Sequence, residues 1–205
     1  MYIMNFLSID CSTDIGSLFV KIENKTFSKV LQSDKSNNDL LMKQILVFFN
    51  KNNLKFDDLS HIFVNQGPGN FSGLRGSLSI AKGISLSKNL NLFGYNTFLW
   101  SCAKFFNKNE SIYSLIRFRE KYFIKKFDKN LKSISKIEKI KEDEIIKKYY
   151  NKFKVIPKNN MTKDSDKKIL KLNNLNIVDL DHNALEFLQL NGLLEQNLIN
   201  PLYLS

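Results

Sequence analysis

Three strand-like segments follow one another at the start of the chain, and only short links join them. Residues 3–9, 17–22 and 26–31 are the segments in question. A connection between parallel strands needs a crossover of roughly a dozen residues or more, so we expect an antiparallel arrangement here. A Rossmann order places a crossover helix after its first strand, and this pattern therefore excludes it.

The rest of the first half alternates between helices and strands. Its predicted elements are a helix over 38–50, a strand over 61–65, a helix over 71–88, a strand over 91–93 and a helix that begins near 97. Apolar spacing places four residues on one face of the first helix, namely Leu41, Ile45, Phe48 and Phe49.

The second half also begins with strands. Its predicted elements are a strand pair over 111–117 and 121–127, a third strand over 133–137, a helix over 142–150, a loop over 158–166 and a short helix over 183–191. Both halves together predict an α/β protein with two lobes, residues 1–100 and 101–205. We expect the last helix and the tail to be able to pack back on the first lobe.

The chain is strongly basic, with a formal net charge of +11 that invites a nucleic-acid interpretation. Most of this charge, +8, lies in residues 101–205. Lys supplies 28 of the basic residues and Arg only three, although Arg is the usual residue for bidentate contacts with nucleic acid. The Lys excess is therefore equally well explained as a drift in composition.

Other features of composition concern the cellular compartment. The two cysteines, Cys11 and Cys102, cannot build a disulfide framework, which indicates a reducing environment. No apolar run approaches the roughly 20 residues of a membrane span, and the first ten residues lack the basic start of a signal peptide. We expect a soluble, cytoplasmic protein that does not contact a membrane.

Two segments have the character of anion-binding loops. The first is Asp10 with Ser12 and Thr13, at the end of the first strand, where a phosphate loop would carry glycine in place of Ser12. Its alternative is an Asp/Ser turn held by local hydrogen bonds. The second begins with Gly67 and Gly69, joins a strand to a helix, and predicts an anion or partner site or simply a tight turn.

The helix over 71–88 is unusually rich in small residues. Eight of the fifteen residues between 73 and 87 are Gly, Ala or Ser, and Ser77, Ala81 and Ser85 lie four apart. Each Gly inside a helix costs about 1 kcal/mol relative to Ala, so a compensating close contact is expected. Small side chains let a neighbouring element approach closely, whether it is the sheet beneath or a helix of another chain.

These residues resemble a known family. The sequence Gly67-Pro-Gly-Asn-Phe-Ser-Gly-Leu-Arg75, continuing to Ala81-Lys-Gly83, closely resembles the signature of the TsaB family, also called YeaZ. Residues 9–13 match the family's motif at the end of the first strand, and residues 201–204 resemble its tail. The similarity covers about the first hundred residues and that tail.

The resemblance implies a two-lobed actin-like and Hsp70-like fold of the ASKHA, ribonuclease H-like class, with mixed sheets flanked by helices. It implies a non-catalytic scaffold for the bacterial enzyme that makes N6-threonylcarbamoyladenosine (t6A) at position 37 of tRNA. The implied partners are the catalytic subunit TsaD, the ATPase TsaE, a second copy in isolation, and tRNA only through the complex. No cofactor is expected, with ATP or ADP only at the partner interface.

The resemblance also places the partner interface on the two helices of the first lobe. The residues expected there are Leu41, Ile45, Asn70, Phe71, Ser72, Gly73, Leu74, Arg75, Ser77, Ala81 and Ser85. The chain departs from the family at residues 37–39, where a His is common. It departs again at residues 117–120, Arg-Phe-Arg-Glu, where an Asp-x-Arg and a Gly-Glu pair are usual.

The sequence predicts neither a catalytic constellation nor a metal site. His61 and His182 are 121 residues apart, and neither has a second His at the spacing that a helical metal site requires. Two alternatives to a complex subunit are a stand-alone actin-like ATPase or small-molecule kinase and a basic RNA-binding module. The 17 Phe and 7 Tyr fall mostly in apolar patterns typical of a core, which weakens the second alternative.

Overall fold

The computed structural model describes residues 4–32, 40–161, 167–196 and 198–204. The predicted beginning of the first helix at residue 38, and the family departure at residues 37–39, lie outside them. The described chain divides into two compact units. One contains the residues up to Asn96 together with those from Leu194 onward, and the other is Thr97–Leu193.

The first unit is built on a mixed five-stranded sheet of order β3-β2-β1-β4-β5. Its strands are β1 (Phe6–Asp10), β2 (Ile15–Ile22), β3 (Lys25–Gln32), β4 (His61–Asn65) and β5 (Asn91–Tyr95). The pairs β1–β2 and β2–β3 are antiparallel, which confirms the expected arrangement of the first three strands. The pairs β1–β4 and β4–β5 are parallel, and a helix precedes both β4 and β5 in the chain.

Two helices make these parallel connections. Helix α1 (Leu41–Lys51) precedes β4, and helix α2 (Phe71–Lys88) joins β4 to β5, with the bounds that the sequence predicts for it. The four residues predicted on one face of α1 are all buried. They join apolar residues of β1, β2, β4 and α2 in one continuous core, because each element presents its apolar side to the sheet.

The second unit repeats this topology. Its sheet has the order β10-β9-β6-β7-β8, with three antiparallel neighbours followed outward by two parallel ones. Its strands are β6 (Ser111–Phe118), β7 (Lys121–Asp128), β8 (Glu138–Ile140), β9 (Lys154–Pro157) and β10 (Leu175–Val178). Its helices are α3 (Thr97–Cys102), α4 (Glu142–Tyr149) and α5 (Ala184–Leu190).

The predicted third strand of this unit, over 133–137, is wrong. Ser133 forms only an isolated bridge to Phe127, and the strand β8 begins at Glu138. Serine side chains explain the shift, since they occupy the backbone groups that a ladder would use. The hydroxyl of Ser135 accepts the Lys126 N–H, and the hydroxyl of Ser133 donates to the Ser135 carbonyl.

A buried lysine closes the C-terminal end of α4. The ammonium of Lys154, on β9, donates to the carbonyls of Tyr149 (2.6 Å), Lys152 (2.6 Å) and Asn173 (2.8 Å), and also to that of Tyr150. A cation at this position satisfies the unpaired carbonyls of the last helical turn and interacts favourably with the helix dipole.

We expect Lys154→Met to lower the free energy of unfolding by about 2 kcal/mol, because it fills the same space but leaves several buried carbonyls without a donor. Urea denaturation followed by circular dichroism measures the change. Lys152→Met, at an exposed side chain two residues away, is the matched control and should alter stability little. Equal stability of both variants would contradict this role for Lys154.

Among the described residues, no helix combines the length and the apolar character that crossing a membrane requires.

Candidate functional site

The two predicted anion-binding segments lie against each other in the first unit. Both follow the C-terminal ends of adjacent parallel strands, β1 and β4, which end at the same edge of the sheet. Asp10 organises the first segment, since its Oδ1 accepts the N–H of Ser12 at 2.9 Å and the side-chain amide of Asn65 at 3.0 Å. The Asn70 N–H then donates to the Ser12 carbonyl at 2.9 Å and links the second segment to the first.

Glycine makes this close approach possible. A Cβ on Gly69 would overlap the backbone of Ser12, and a Cβ on Gly73 would overlap the carbonyl O of Cys11. Gly67 has φ +112°, a conformation that residues with a side chain rarely adopt, and its peptide bond to Pro68 is cis. Close backbone packing between the two segments therefore explains Gly69 and Gly73, and the positive φ explains Gly67.

The same contacts engage several of the donors that an anion could use. The N–H groups of Ser12 and Asn70 are bonded within the two segments, and the Gly67 N–H donates to Asn65 Oδ1 at 2.9 Å. The Thr13 hydroxyl donates to the carbonyl of Ile15. Nucleotide or anion binding by Asp10, Ser12, Thr13, Gly67 and Gly69 stays a prediction, and these contacts do not favour it.

The two cysteine thiols and the hydroxyl of the buried Tyr95 all have raised pKa values. Burial, with a contribution from the Asp10 carboxylate, raises the pKa of the Cys11 thiol to about 12. Burial also raises the pKa of Cys102 to about 12 and that of Tyr95 well above its usual range. At neutral pH all three groups are protonated, so neither cysteine is a thiolate nucleophile.

The C-terminal tail lies on the second segment. The motif of the tail therefore contacts the motif that begins at Gly67, although the two are far apart in sequence. The Leu202 N–H donates to the Gln66 carbonyl at 2.7 Å. The side-chain amide of Gln66 donates to the Asn200 carbonyl at 3.1 Å and to a carboxylate oxygen of Glu195 at 3.0 Å. Residues 201–204 are therefore held beside the beginning of α2.

An aromatic–arginine stack, consisting of Phe71, Arg75 and Tyr203, lies on the surface at this point. The Arg75 guanidinium carbon is 3.9 Å from the centroid of the Phe71 ring, and its Nε donates to the Tyr203 hydroxyl at 3.0 Å. The two rings stack with their centroids 5.2 Å apart. Phe71 is nevertheless 50% exposed and Tyr203 46% exposed, so the stack presents a preorganised surface of the composition that dominates protein interfaces.

The structure shows which residues of the predicted partner interface lie on the surface, while their role in binding a partner stays a prediction. Six of these residues are buried within the first unit, namely Leu41, Ile45, Gly73, Leu74, Ser77 and Ala81. Ser77 and Ala81 are both 0% exposed, because this side of α2 packs on the sheet. Of the others, Phe71, Ser72 and Arg75 are exposed, and Asn70 and Ser85 are half-buried.

The opposite side of the two helices forms a second surface, which we call the outer face. On α1 it consists of Met42, Leu46 and Val47, and on α2 of Gly83 and Leu86. Leu86 is 85% exposed, and a Cβ on Gly83 would have no heavy atom within 4 Å. Ser79 and Ser87 are exposed on the same helix, so a partner helix can approach closely.

Residue types that would support catalysis are dispersed. Within the described ranges, no three His, Cys, Asp or Glu residues come together in a way that could hold a metal ion. The His61 ring stacks on Phe93 with centroids 5.8 Å apart, and the His182 ring contacts Trp100 at 4.8 Å.

Comparison with known sequences identifies the family. The model of the family described as TsaD, tRNA N6-adenosine threonylcarbamoyltransferase, matches residues 32–156. Two curated relatives from Buchnera aphidicola are named tRNA threonylcarbamoyladenosine biosynthesis protein TsaB. The one from subspecies Baizongia pistaciae (strain Bp) is 29% identical over 107 residues, which are 51% of this chain and 48% of the relative.

The second relative, from subspecies Schizaphis graminum (strain Sg), is 30% identical over 91 residues, 44% of this chain and 43% of the relative. The chain thus matches about half the length of its curated relatives or somewhat less. These names confirm the resemblance to TsaB that the sequence motifs indicate.

Comparison with solved structures concerns the fold. YeaZ from Pseudomonas aeruginosa has a TM-score of 0.69 at 13% identity, over 98% of this chain and 100% of that one. A structure described as an uncharacterized protein with similarity to peptidase YeaZ from Pseudomonas aeruginosa gives 0.71 at 12% identity, with the same coverage of both chains. The expected α/β fold with mixed sheets flanked by helices is confirmed, and these YeaZ structures share it.

Proposed function

Since the chain belongs to the tRNA N6-adenosine threonylcarbamoyltransferase family, we propose that it is a TsaB-like subunit of the complex that makes t6A. It binds a TsaD-like catalytic subunit and does not itself transfer the threonylcarbamoyl group. The observation that carries the proposal is a preorganised, exposed stack built from both motifs that resemble TsaB.

The chemistry of the side chains supports a non-catalytic role. Both cysteines are protonated at neutral pH, and both histidines pack against aromatic rings. A stand-alone ATPase or kinase, and a basic RNA-binding module, are less favoured, since the curated relatives are named as biosynthesis proteins for threonylcarbamoyladenosine.

The outer face and the stack are the proposed docking surface for the partner. Small residues of α2 allow a helix of the partner to approach, while the apolar side chains of α1 and Leu86 supply area to bury. In the absence of the partner, a second copy of the chain occupies the outer face. A TsaE-like ATPase and tRNA join the assembled complex in the cytoplasm. The chain itself has no cofactor, and any ATP or ADP binds at the partner interface.

We expect Tyr203→Ala to weaken association with a TsaD-like subunit about tenfold or more, because it removes one ring of the stack and the hydroxyl that holds Arg75. Isothermal titration calorimetry of the purified chain against that subunit measures the effect. Tyr150→Ala, at a tyrosine exposed in the second unit, is the matched control and should bind like the unaltered chain. Loss of affinity in both variants, or in neither, would contradict this docking surface.

A further inference from the structure

A cluster of lysines lies at one end of the antiparallel strands of the second unit. Lys121 is the first residue of β7, and Lys139 and Lys141 lie on and just after β8, which pairs with it. Tyr122 is opposite Ile140 in this ladder. Lys121 precedes Tyr122 and the other two lysines flank Ile140, so all three lie next to this residue pair. They line a cavity of about 300 Å³, which we call the lysine cavity.

The positive charges of these lysines face one another. The Lys121 side chain contacts that of Lys139, and this contact, with a contribution from Lys141, lowers the pKa of Lys139. Glu120 and Glu142 also line the cavity, but in the described part of the chain neither forms an ion pair with the three lysines. The electrostatic repulsion between these like charges is lowered when an anion binds between them.

Arginines add to the charge at the same point. Only three arginines occur in the chain, and two of them, Arg117 and Arg119, lie at the tip of the hairpin that joins β6 to β7. Arg117 lines the lysine cavity. Arg119 and Glu120 form the turn with φ +48° and +61°, a conformation usually given to Asn and Gly. The hairpin tip thus carries charged side chains at positions where other residues suit the backbone better.

We propose that the lysine cavity binds phosphate groups of the tRNA backbone, which deepens the proposed function and rests on it. Lysine is a compact point charge that contacts phosphate without reading base sequence, and such contacts position an RNA. The cavity opens on exposed side chains along two strands, which suits a polyanion better than a small ligand enclosed on all sides. The second half of the chain has a net charge of +8, which adds to the positive electrostatic potential of the cavity.

The test compares two double variants of the full chain. Lys121→Gln with Lys139→Gln removes two charges from the cavity, and Lys132→Gln with Lys136→Gln removes two exposed charges near the other end of β7. Binding of fluorescently labelled tRNA is measured by anisotropy across a salt series, for each chain assembled with a TsaD-like subunit. Size-exclusion chromatography of the same mixtures reports whether the subunits associate.

We expect the cavity variant to bind tRNA about tenfold more weakly, with the slope of log affinity against log salt smaller by nearly 2, since each lost phosphate contact removes about 0.9. The control variant should lose less than half of that slope change. Equal losses in the two variants, or no loss in either, would overturn the proposal. A cavity variant that binds tRNA normally but no longer binds the subunit would also overturn it, and would identify an acidic protein surface as the ligand.

These outcomes separate this inference from the proposed function. If the unaltered chain associates with the subunit but the cavity variant retains full tRNA affinity, the lysine cavity has no role in RNA binding and the subunit assignment stands. If the unaltered chain does not associate at all, the proposed function fails first.

Discussion

Ala81→Glu should unfold the first unit, whereas Gly83→Glu, two residues further along α2, should leave it folded. Ala81 is 0% exposed in the core between α2 and the sheet, and among the residues described there it would have no cationic partner. A buried carboxylate without a partner costs more than about 4 kcal/mol, which is a large part of the stability of a small domain. Thermal denaturation followed by circular dichroism measures the loss.

Gly83 provides the matched control, because the same charge enters the same helix where a side chain has open space. Gly83→Glu should fold normally and yet weaken pairing with the TsaD-like subunit, since Gly83 lies on the outer face. A folded Ala81→Glu together with an unfolded Gly83→Glu would show that α2 presents its other side to the sheet.

Gly69→Ala should destabilise the first unit by about 3 kcal/mol or more, because its Cβ would overlap the backbone of Ser12 and the two loops would have to separate. The Asn70 N–H would then lose its bond to the Ser12 carbonyl. Gly73→Ala should act in the same direction through Cys11. Urea denaturation of the purified variants measures each change.

Gly83→Ala is the control for this series, since it adds the same methyl group in open space. It should raise the free energy of unfolding by up to about 1 kcal/mol, because Ala is a better residue than Gly inside a helix. A Gly69→Ala variant as stable as Gly83→Ala would contradict the close packing of the two loops.

Helix α2 shows what the sequence could and could not determine. Both bounds of this helix were predictable, since the Gly-rich turn marks where it begins and the length of the helical pattern marks where it ends. Its orientation was not, because small residues occur on both of its sides: Ser77 and Ala81 face the sheet, while Ser79 and Gly83 face outward. Without a strong apolar stripe, the side that packs on β4 is decided by the tertiary structure.

The strands of the second unit show a different limit. The hairpin of β6 and β7 was predictable from its apolar pattern. Strand β9 was not predicted, since a lysine and a proline occupy two of its four positions, and only the structure shows that Lys154 is buried under backbone carbonyls. A long-range contact of this kind leaves no periodic signal in the sequence.

The candidate site lies between these cases. The motif from Gly67 to Arg75 predicted a partner site, and the structure places Phe71 and Arg75 of this motif on the surface. Tyr203 was missed as a site residue although its tail motif was noted, because only folding brings it within hydrogen-bond distance of Arg75.

We propose that this chain acts by pairing with a catalytic subunit. The most direct measurement is mass spectrometry of t6A in tRNA after incubation with ATP, a threonylcarbamoyl adenylate as the group donor, the purified chain, a TsaD-like subunit and a TsaE-like ATPase, or with each protein left out. We predict the modified nucleoside only when the chain and the TsaD-like subunit are both present, and much less of it with Gly83→Glu. Full modification without the chain, or modification by the chain alone, would contradict the account.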